Sequence, residues 1–545
     1  MLAYSTEVII IGGGATGVGI LRDLSMRGIS AILFEQGDLA HGTSSRFHGL
    51  LHSGARYVVK DPISAAECIQ ENRIVKKIAA NCVDNTGGWF IQTKDDDPEF
   101  VQKWLTGCQA SGIPVREIAV QEACSEEPLL NRETVRVFEV PDAAVDGFKL
   151  VWANAHSAQH YGGQYKTYHQ VTQILRAEER ITGIRGINAL TGEKFTAKAQ
   201  VVVNAAGAWA SQIAESAGIS LEVIGDKGTL LAFNHRLFKR VINRLRIPGD
   251  ADIFVPHETI TILGTTSEIV DSPLKNQPSK EEVERLMKLG AQLLPAINQQ
   301  RVIRAFSGVR PLHREDSDVP GSEEAGREVS RTFALIDHEE QDGIQGFVSI
   351  VGGKFTTYRL MAEKVSDWVA EKLGNSVPCR TDQESIVPKT TEALRDRAYR
   401  LLPLGAADKM VERLGEQAEQ VLDQIECDPK KGQMLCECEM VSAAEIENAV
   451  KDSDDYNLSD IRRKTRLGMG TCQGAFCTYR ALPYLGLEKR YGALNRQLIL
   501  FLDQRWKGIR PILWGQQLRE AELARAIYSG VLGLNREKKE ERQQE

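Results

Sequence analysis

Four cysteines near the end of the chain have the spacing of a metal centre. Cys436-Glu-Cys438 is followed, after thirty-three intervening residues, by Cys472-Gln-Gly-Ala-Phe-Cys477, a C-x-C…C-x4-C pattern. In a reducing compartment such a group suggests a metal site rather than disulfides. Four thiolates suit zinc or an iron–sulfur cluster. Zinc knuckles favour C-x2-C, and C-x-C is poor for that geometry, so the spacing favours the cluster. Arg462, Arg463, Lys464 and Arg466 precede the second pair, and Gly468, Gly470 and Gly474 surround it. Positive charge offsets an anionic cluster, and flexible backbone can turn N–H groups towards its sulfurs. Zinc and unliganded cysteines stand as the alternatives. Cys427 falls outside the pattern. Cys68, Cys82, Cys108, Cys124 and Cys379 are scattered singly and read as core cysteines.

A second constellation lies at the other end. Gly12-Gly13-Gly14-Ala-Thr-Gly17 fits G-x-G-x-x-G, and Glu35 follows twenty-three residues after Gly12. Gly12 permits a tight turn, Gly14 lets the backbone approach a pyrophosphate, and Gly17 lets helix and strand pack closely. The helix that follows points its free N–H groups and positive dipole end at the phosphates. Glu35 can accept from both ribose hydroxyls and would repel a 2′-phosphate. This unit does not separate FAD from NAD. The motif has no second copy downstream, which favours one tightly held dinucleotide.

The elements that position this motif are legible around it. Val8-Ile-Ile-Ile11 is the apolar run of a buried parallel strand. A helix is expected from Val18 to Arg27, closed by Gly28, and Ala31-Ile-Leu-Phe34 gives a second strand ending at Glu35. Strand, glycines, helix, strand and acid in register make the unit specific. At 545 residues the chain has room for several domains. With 42% hydrophobic and 26% charged residues it excludes disorder and fibrous repeats for most of its length. No apolar run approaches a membrane span, the N-terminus runs straight into a strand rather than a signal peptide, and a net charge of −7 argues against nucleic acid. A soluble, cytoplasmic protein is expected.

Five further segments occur in order: Gly42-Thr43-Ser44-Ser45-Arg46-Phe47-His48-Gly49-Leu50-Leu51-His52-Ser53-Gly54-Ala55-Arg56-Tyr57, Val201 to Trp209, Gly264-Thr265-Thr266, Ser307 to Leu312, and Gly352 to Arg359. With them, roughly residues 5 to 375 resemble the FAD-dependent glycerol-3-phosphate dehydrogenases, within the D-amino-acid-oxidase-like flavoproteins. Leu467 to Cys477 resembles the [2Fe-2S] domain of bacterioferritin-associated ferredoxin, which has a shorter second spacing. The combination resembles the anaerobic, membrane-associated branch of the dehydrogenase family.

That resemblance implies an α/β fold: a Rossmann-like FAD-binding domain with a mixed-sheet substrate domain, followed by a small helical [2Fe-2S]-binding domain. The expected divisions are 1–380 for the flavin-dependent oxidoreductase, 381–430 for a helical connector, 431–485 for the cluster domain and 486–545 for a helical extension and disordered tail. Residues 58 to 198 and 207 to 307 are expected to supply the substrate domain, with hairpins between Ile174 and Gly192. By resemblance Gly12, Gly14, Gly17, Glu35, Thr43, Ser44, Ser45, Ala206, Gly207, Gly353 and Thr356 contact FAD, and Cys436, Cys438, Cys472 and Cys477 hold the cluster. Trp506 to Trp514 interleaves aromatic, basic and aliphatic residues, which fits either a docking face or packing onto the chain's own core.

Arg56, Arg310 and Lys354 are three cations on cofactor-facing loops. A phosphate dianion needs several charge-assisted donors, and the family implies that these three bind the phosphate of glycerol 3-phosphate, with Tyr57 and Thr357 assisting. Oxidation would send the C2 hydrogen to the flavin as hydride while a base takes the hydroxyl proton. The aerobic relatives carry a histidine where this chain has Thr229 and a lysine where it has Gly49. His52 is retained and is the candidate base, with His48 second. The family further implies B- and C-type companion subunits, the quinone pool as indirect electron sink, and peripheral attachment to the inner face of the cell membrane. Two rival functions are an amino-acid or hydroxy-acid dehydrogenase on the same fold and a non-catalytic electron carrier.

Overall fold

The structure is a computed structural model that describes residues 2–313, 332–451, 457–485 and 491–534. Its first layer is a six-stranded sheet in the order Gln164–Lys166, Ala31–Phe34, Val8–Ile11, Val201–Asn204, Phe347–Gly352, Phe333–Asp337. All neighbours are parallel except the last pair. The apolar run of Val8–Ile11 follows from burial on both faces. Val8 and Ile10 face the helices Ala15–Met26, Gly147–His160 and Tyr358–Leu373. Ile9 and Ile11 face a four-stranded sheet built from Leu2–Ser5, Lys194–Lys198, Arg180–Asn188 and His169–Ala177.

This corrects one expectation. Residues from Gly147 to Lys198, expected in the substrate domain, supply a helix, an edge strand and the covering sheet of the dinucleotide-binding layer. Alternation between Ile174 and Gly192 states that one face is buried. It does not state which sheet does the burying.

The second body is a nine-stranded mixed sheet. It runs Glu268–Val270, Ile224–Phe233, Ile260–Gly264, Ile253–His257, Val241–Arg244, Gly88–Thr93, Thr134–Val140, Arg116–Ile118, with Val302–Leu312 also paired to Ile224–Phe233. Trp89, Phe233, Phe254 and Leu263 pack against Val283 and Leu286 of the helix Lys280–Gly290. Short strands at Leu50–Leu51, Ala143–Val145 and Val83–Asp84 stitch the two bodies together.

Beyond Glu392 the described residues are mostly helical. Glu392–Leu401, Leu404–Leu414 and Ala418–Cys427 share their own small core. A two-stranded hairpin, Met434–Cys436 with Val441–Ser442, then leads into the helices Ala443–Val450, Leu458–Thr465 and Cys477–Ala481. Leu498 and Phe501 of the helix Tyr491–Ile509 are buried in that core. Trp506 and Trp514 stay 47% and 39% exposed. No helix among the described residues is long and apolar enough to cross a membrane. The expected tail, 535–545, lies outside the described residues.

Candidate functional site

A cavity of about 940 Å³ opens at the carboxyl ends of the parallel strands, where the helix Ala15–Met26 begins. Such crevices at strand ends are where open α/β sheets take ligands. Gly12, Gly14, Glu35, Thr43, Ser44, Ala206, Gly207 and Gly353 line it, as do His52, Arg56, Arg310 and Lys354. Gly17, Ser45 and Thr356 do not. Gly17 acts from behind: a β-carbon there would stand 1.9 Å from the Gly12 carbonyl oxygen. Gly12 has φ of +114°, and its β-carbon would meet the Ala205 carbonyl at 2.5 Å. Ser45 bonds the Gly42 carbonyl, and Thr356 accepts the His52 N–H at 3.0 Å.

The polar groups around the turn are held by one another. Glu35 accepts the N–H groups of Gly13 at 2.7 Å and Gly37 at 2.8 Å. Burial raises the pKa of its carboxyl, and those two N–H groups oppose the rise. Each carboxylate oxygen keeps a second lone pair for a ligand hydroxyl. The Ser44 hydroxyl accepts the Ala15 N–H at 3.0 Å, and Thr43 donates to the Val309 carbonyl at 2.6 Å. Cavity size, exposed turn backbone and an acid at the second strand end fit a dinucleotide such as FAD.

Beyond this turn the cavity is walled by cations and imidazoles. Arg56 donates to Asp252 at 2.9 Å and to the Gly249 carbonyl, while its buried Nη1 has no hydrogen-bond partner. Arg310 donates to Asp226 at 2.7 Å and to the Thr265 hydroxyl. Gly228 makes room for it, since a β-carbon there would meet Nη2 at 2.3 Å. Lys354 sits over the Tyr57 ring with Nζ 4.8 Å from its centre. Burial lowers the pKa of both histidines, His48 to about 3 and His52 well below the usual imidazole range. Arg310 and Arg56 add to the effect at His48, and His48, Arg56 and Lys354 at His52. Three cations therefore surround one pair of neutral imidazoles.

Sequence reasoning missed the residues that hold these groups, Asp226, Asp252 and His257. No local motif marks a counter-ion a sheet's width away. The two departures from the aerobic relatives have a structural account. Thr229 is fully buried, bonded to Glu282 and Ser307 at 2.7 Å each, and does not line the cavity. Gly49 has φ of +73°, and a β-carbon there would stand 2.1 Å from the His257 ring. His257 Nε2 instead bonds the His48 carbonyl at 2.8 Å.

The four cysteines of the C-terminal pattern meet in space. Sγ of Cys438 is 3.7 Å from that of Cys436 and 3.9 Å from that of Cys472. Cys477 completes the group through contacts with Cys436 and Cys472, while Cys427 is exposed elsewhere. Hydrogen bonding from Cys438 and Cys477 lowers the pKa of Cys436 and of Cys472. The N–H groups of Gly468 and Glu439 add to this at Cys436, and those of Gly474 and Ala475 at Cys472. Gly470 admits the cluster of thiols closely, since its β-carbon would lie 2.7 Å from Cys438 Sγ. Among the described residues no three or more such side chains surround one single-ion position. Four thiols ringed by amide N–H groups can hold an anionic metal–sulfur group such as the iron–sulfur cluster that the C-x-C spacing favours.

Comparison with known proteins follows the same division. Residues 7–359 match the family of FAD dependent oxidoreductases, and residues 434–486 match the BFD-like [2Fe-2S] binding domain. The A-type subunit of the anaerobic glycerol-3-phosphate dehydrogenase of Escherichia coli is 44% identical over 99% of both chains. The A1-type subunit of the corresponding Haloferax volcanii enzyme is 41% identical over 97% of this chain and 91% of its own. Among solved structures, the glycerol-3-phosphate dehydrogenase of Bacillus halodurans, complexed with FAD, superposes with a TM-score of 0.69. It is 20% identical and covers 94% of this chain and 96% of its own, so it speaks for the fold.

Proposed function

We infer the activity from one premise: the chain belongs to the FAD dependent oxidoreductase family, in the branch formed by the A-type subunits of anaerobic glycerol-3-phosphate dehydrogenases. It oxidises sn-glycerol 3-phosphate to glycerone phosphate with FAD and a [2Fe-2S] cluster as its redox groups. The observation that carries the substrate assignment is that Arg56, Arg310 and Lys354 line one cavity, with Arg56 Nη1 unpaired. A carboxylate substrate would not need three cations.

Bound FAD supplies the acceptor for the hydrogen that leaves C2 as hydride. The residues of this chain bind, orient and deprotonate. Arg310 and Arg56, each braced by a buried aspartate, present guanidinium forks to the phosphate. Lys354 adds a point charge held over Tyr57. His48 accepts the Leu50 N–H at Nδ1, so its proton resides on Nε2 and it acts as a donor. His52 is kept neutral by burial and by the surrounding cations, and it takes the hydroxyl proton. Gly12, Gly14, Glu35, Thr43, Ser44, Ala206, Gly207 and Gly353 serve FAD from the cavity lining, and Gly17, Ser45 and Thr356 from behind it.

Cys436, Cys438, Cys472 and Cys477 hold the cluster, which takes electrons one at a time. Electrons then pass to B- and C-type partner subunits and to the quinone pool, with the assembly at the inner face of the membrane. The functional divisions are 1–380, 381–430, 431–485 and 486–545. The test is an absorption spectrum of protein purified without oxygen, before and after glycerol 3-phosphate. Bleaching of the flavin band, with partial loss of the broader iron–sulfur band, is expected. A flavin spectrum unchanged by this substrate overturns the assignment.

A further inference from the structure

Four arginines converge where the cysteine lobe meets the flavin-binding body. Arg46 follows the short turn Thr43–Ser45, Arg304 lies on the strand Val302–Leu312, Arg462 on the helix Leu458–Thr465 and Arg505 on the helix Tyr491–Ile509. These elements pack on one another. A β-carbon at Gly508 would meet the Ala305 carbonyl at 2.5 Å and Arg304 Nε at 3.0 Å, and one at Gly308 the Arg46 carbonyl at 2.3 Å.

None of the four forms an ion pair among the described residues. Their neighbours do: Arg463 pairs with Asp38 and Asp460, and Arg466 with Asp146 and Glu439. The Nε atoms of Arg304, Arg462 and Arg505 are shut off from solvent with no hydrogen-bond partner. Burial lowers the pKa of all four, to about 10 at Arg304, where Arg46 and Arg505 add repulsion. Arg505 donates to the Cys472 carbonyl at 3.1 Å and feels the Cys472 and Cys477 thiols. No cysteine acts on Arg46 or Arg304. Nor does any of the four line the cavity that holds Arg56, Arg310 and Lys354.

Half-buried like charges, three of them with an unmet Nε donor, call for an anion. A compact one with several acceptor oxygens matches converging guanidinium forks. We propose that this seam binds a phosphate group, free or as part of a phosphate ester, held by Arg46, Arg304, Arg462 and Arg505 between the flavin cavity and the thiol centre. It is separate from the substrate phosphate site and locks the two lobes together.

The test uses the full holoprotein and the variants Arg304→Met and Arg462→Gln. After exhaustive dialysis, phosphorus is counted against flavin, and thermal unfolding is followed as inorganic phosphate is added. Either phosphorus beyond that of the flavin nucleotide or a saturable rise of the midpoint is expected in the parent. Both variants lose the excess phosphorus, or weaken phosphate binding at least about tenfold. Where the dialysed parent holds no excess phosphorus, their midpoints in phosphate-free buffer are no lower than its own, because a repelled cation has gone; where it holds the excess, they fall below it. Their KM for glycerol 3-phosphate is unchanged, and Arg310→Met keeps the phosphate response. Excess phosphorus that reacts with molybdate directly identifies free phosphate, and phosphorus that reacts only after ashing identifies an ester. A parent with neither excess nor response overturns the proposal, as does a response that survives in both variants or vanishes in Arg310→Met.

Discussion

Around Gly12 the ligand-facing groups are backbone N–H donors on a finished core, whereas around Cys436 they are four side chains on a short hairpin, a turn and the first residue of a five-residue helix. The core behind the first site, Val8, Ile10, Val18 and Leu21 among others, is complete without a ligand. The core of the second includes Cys436 and Cys477 themselves. A large nucleotide needs a cavity prepared in advance, which a six-stranded sheet provides. A cluster needs four sulfurs, and the lobe that supplies them relies on the group they bind for part of its own stability.

The sharpest break of this comparison is Gly17→Ala. The added carbon would meet the Gly12 carbonyl at 1.9 Å, and that carbonyl is backbone of the turn between the strand Val8–Ile11 and the buried helix Ala15–Met26, with no flexible side chain to give way. Complete loss of flavin from the purified protein is expected, read from its visible absorbance. A variant retaining a full complement of flavin would show that the turn is not prepared as described. Cys472→Ser acts on the other lobe. It should remove iron, labile sulfide and the broad visible band and lower the unfolding temperature. Flavin content and substrate bleaching should survive. Parallel loss of flavin in that variant would tie the two sites together and end the contrast.

The same contrast governs what the sequence revealed. The first strand, its glycines, the helix and Glu35 are adjacent in the chain, so local pattern sufficed to place them. C-x-C and C-x4-C are likewise short-range, and both pairs are spatial neighbours. The nine-stranded sheet left no such trace. Its central junction sets Val241–Arg244 parallel to Gly88–Thr93, a pairing across some hundred and fifty residues that no periodicity encodes. Asp226 and Asp252 were invisible as counter-ions for that reason. The arginine seam was half visible: Arg462 stood out beside the cysteines, but Arg46, Arg304 and Arg505 join it only after folding.

Within the cavity the comparison narrows to two imidazoles 5.6 Å apart. His48 is fixed as a donor by Leu50, and His52 faces Tyr57 with Nε2 3.5 Å from the hydroxyl. His52→Asn should lower kcat by roughly 10²-fold or more with little change in KM, the usual scale for a lost general base. His48→Asn should cost less than about tenfold. Steady-state rates with an artificial electron acceptor decide it, and the opposite ranking would transfer the role to His48.

The smallest expected effect separates the lobes by acid. His52, 7% exposed, has its pKa held below the ordinary value by burial and by its charged neighbours, and His48 and His257 are lowered too. Above pH ~6.5 these groups are neutral in both folded and unfolded chains and contribute no pH dependence. As pH falls through that value the unfolded chain binds protons that the folded one refuses, so stability falls with falling pH. One fully refused proton amounts to about 1.4 kcal/mol per pH unit. As pH falls further the buried carboxyls Glu35 and Asp142, whose pKa values burial raises, bind protons before the unfolded chain does and oppose the loss, so the histidine signal is read in the window just below pH ~6.5. No histidine follows His338, so the thiol lobe lacks this liability. On acidification within that window, flavin release seen by fluorescence should therefore precede loss of the iron–sulfur band. His52→Asn should flatten the flavin transition by up to one proton, and simultaneous loss of both signals would mean that the lobes unfold as one.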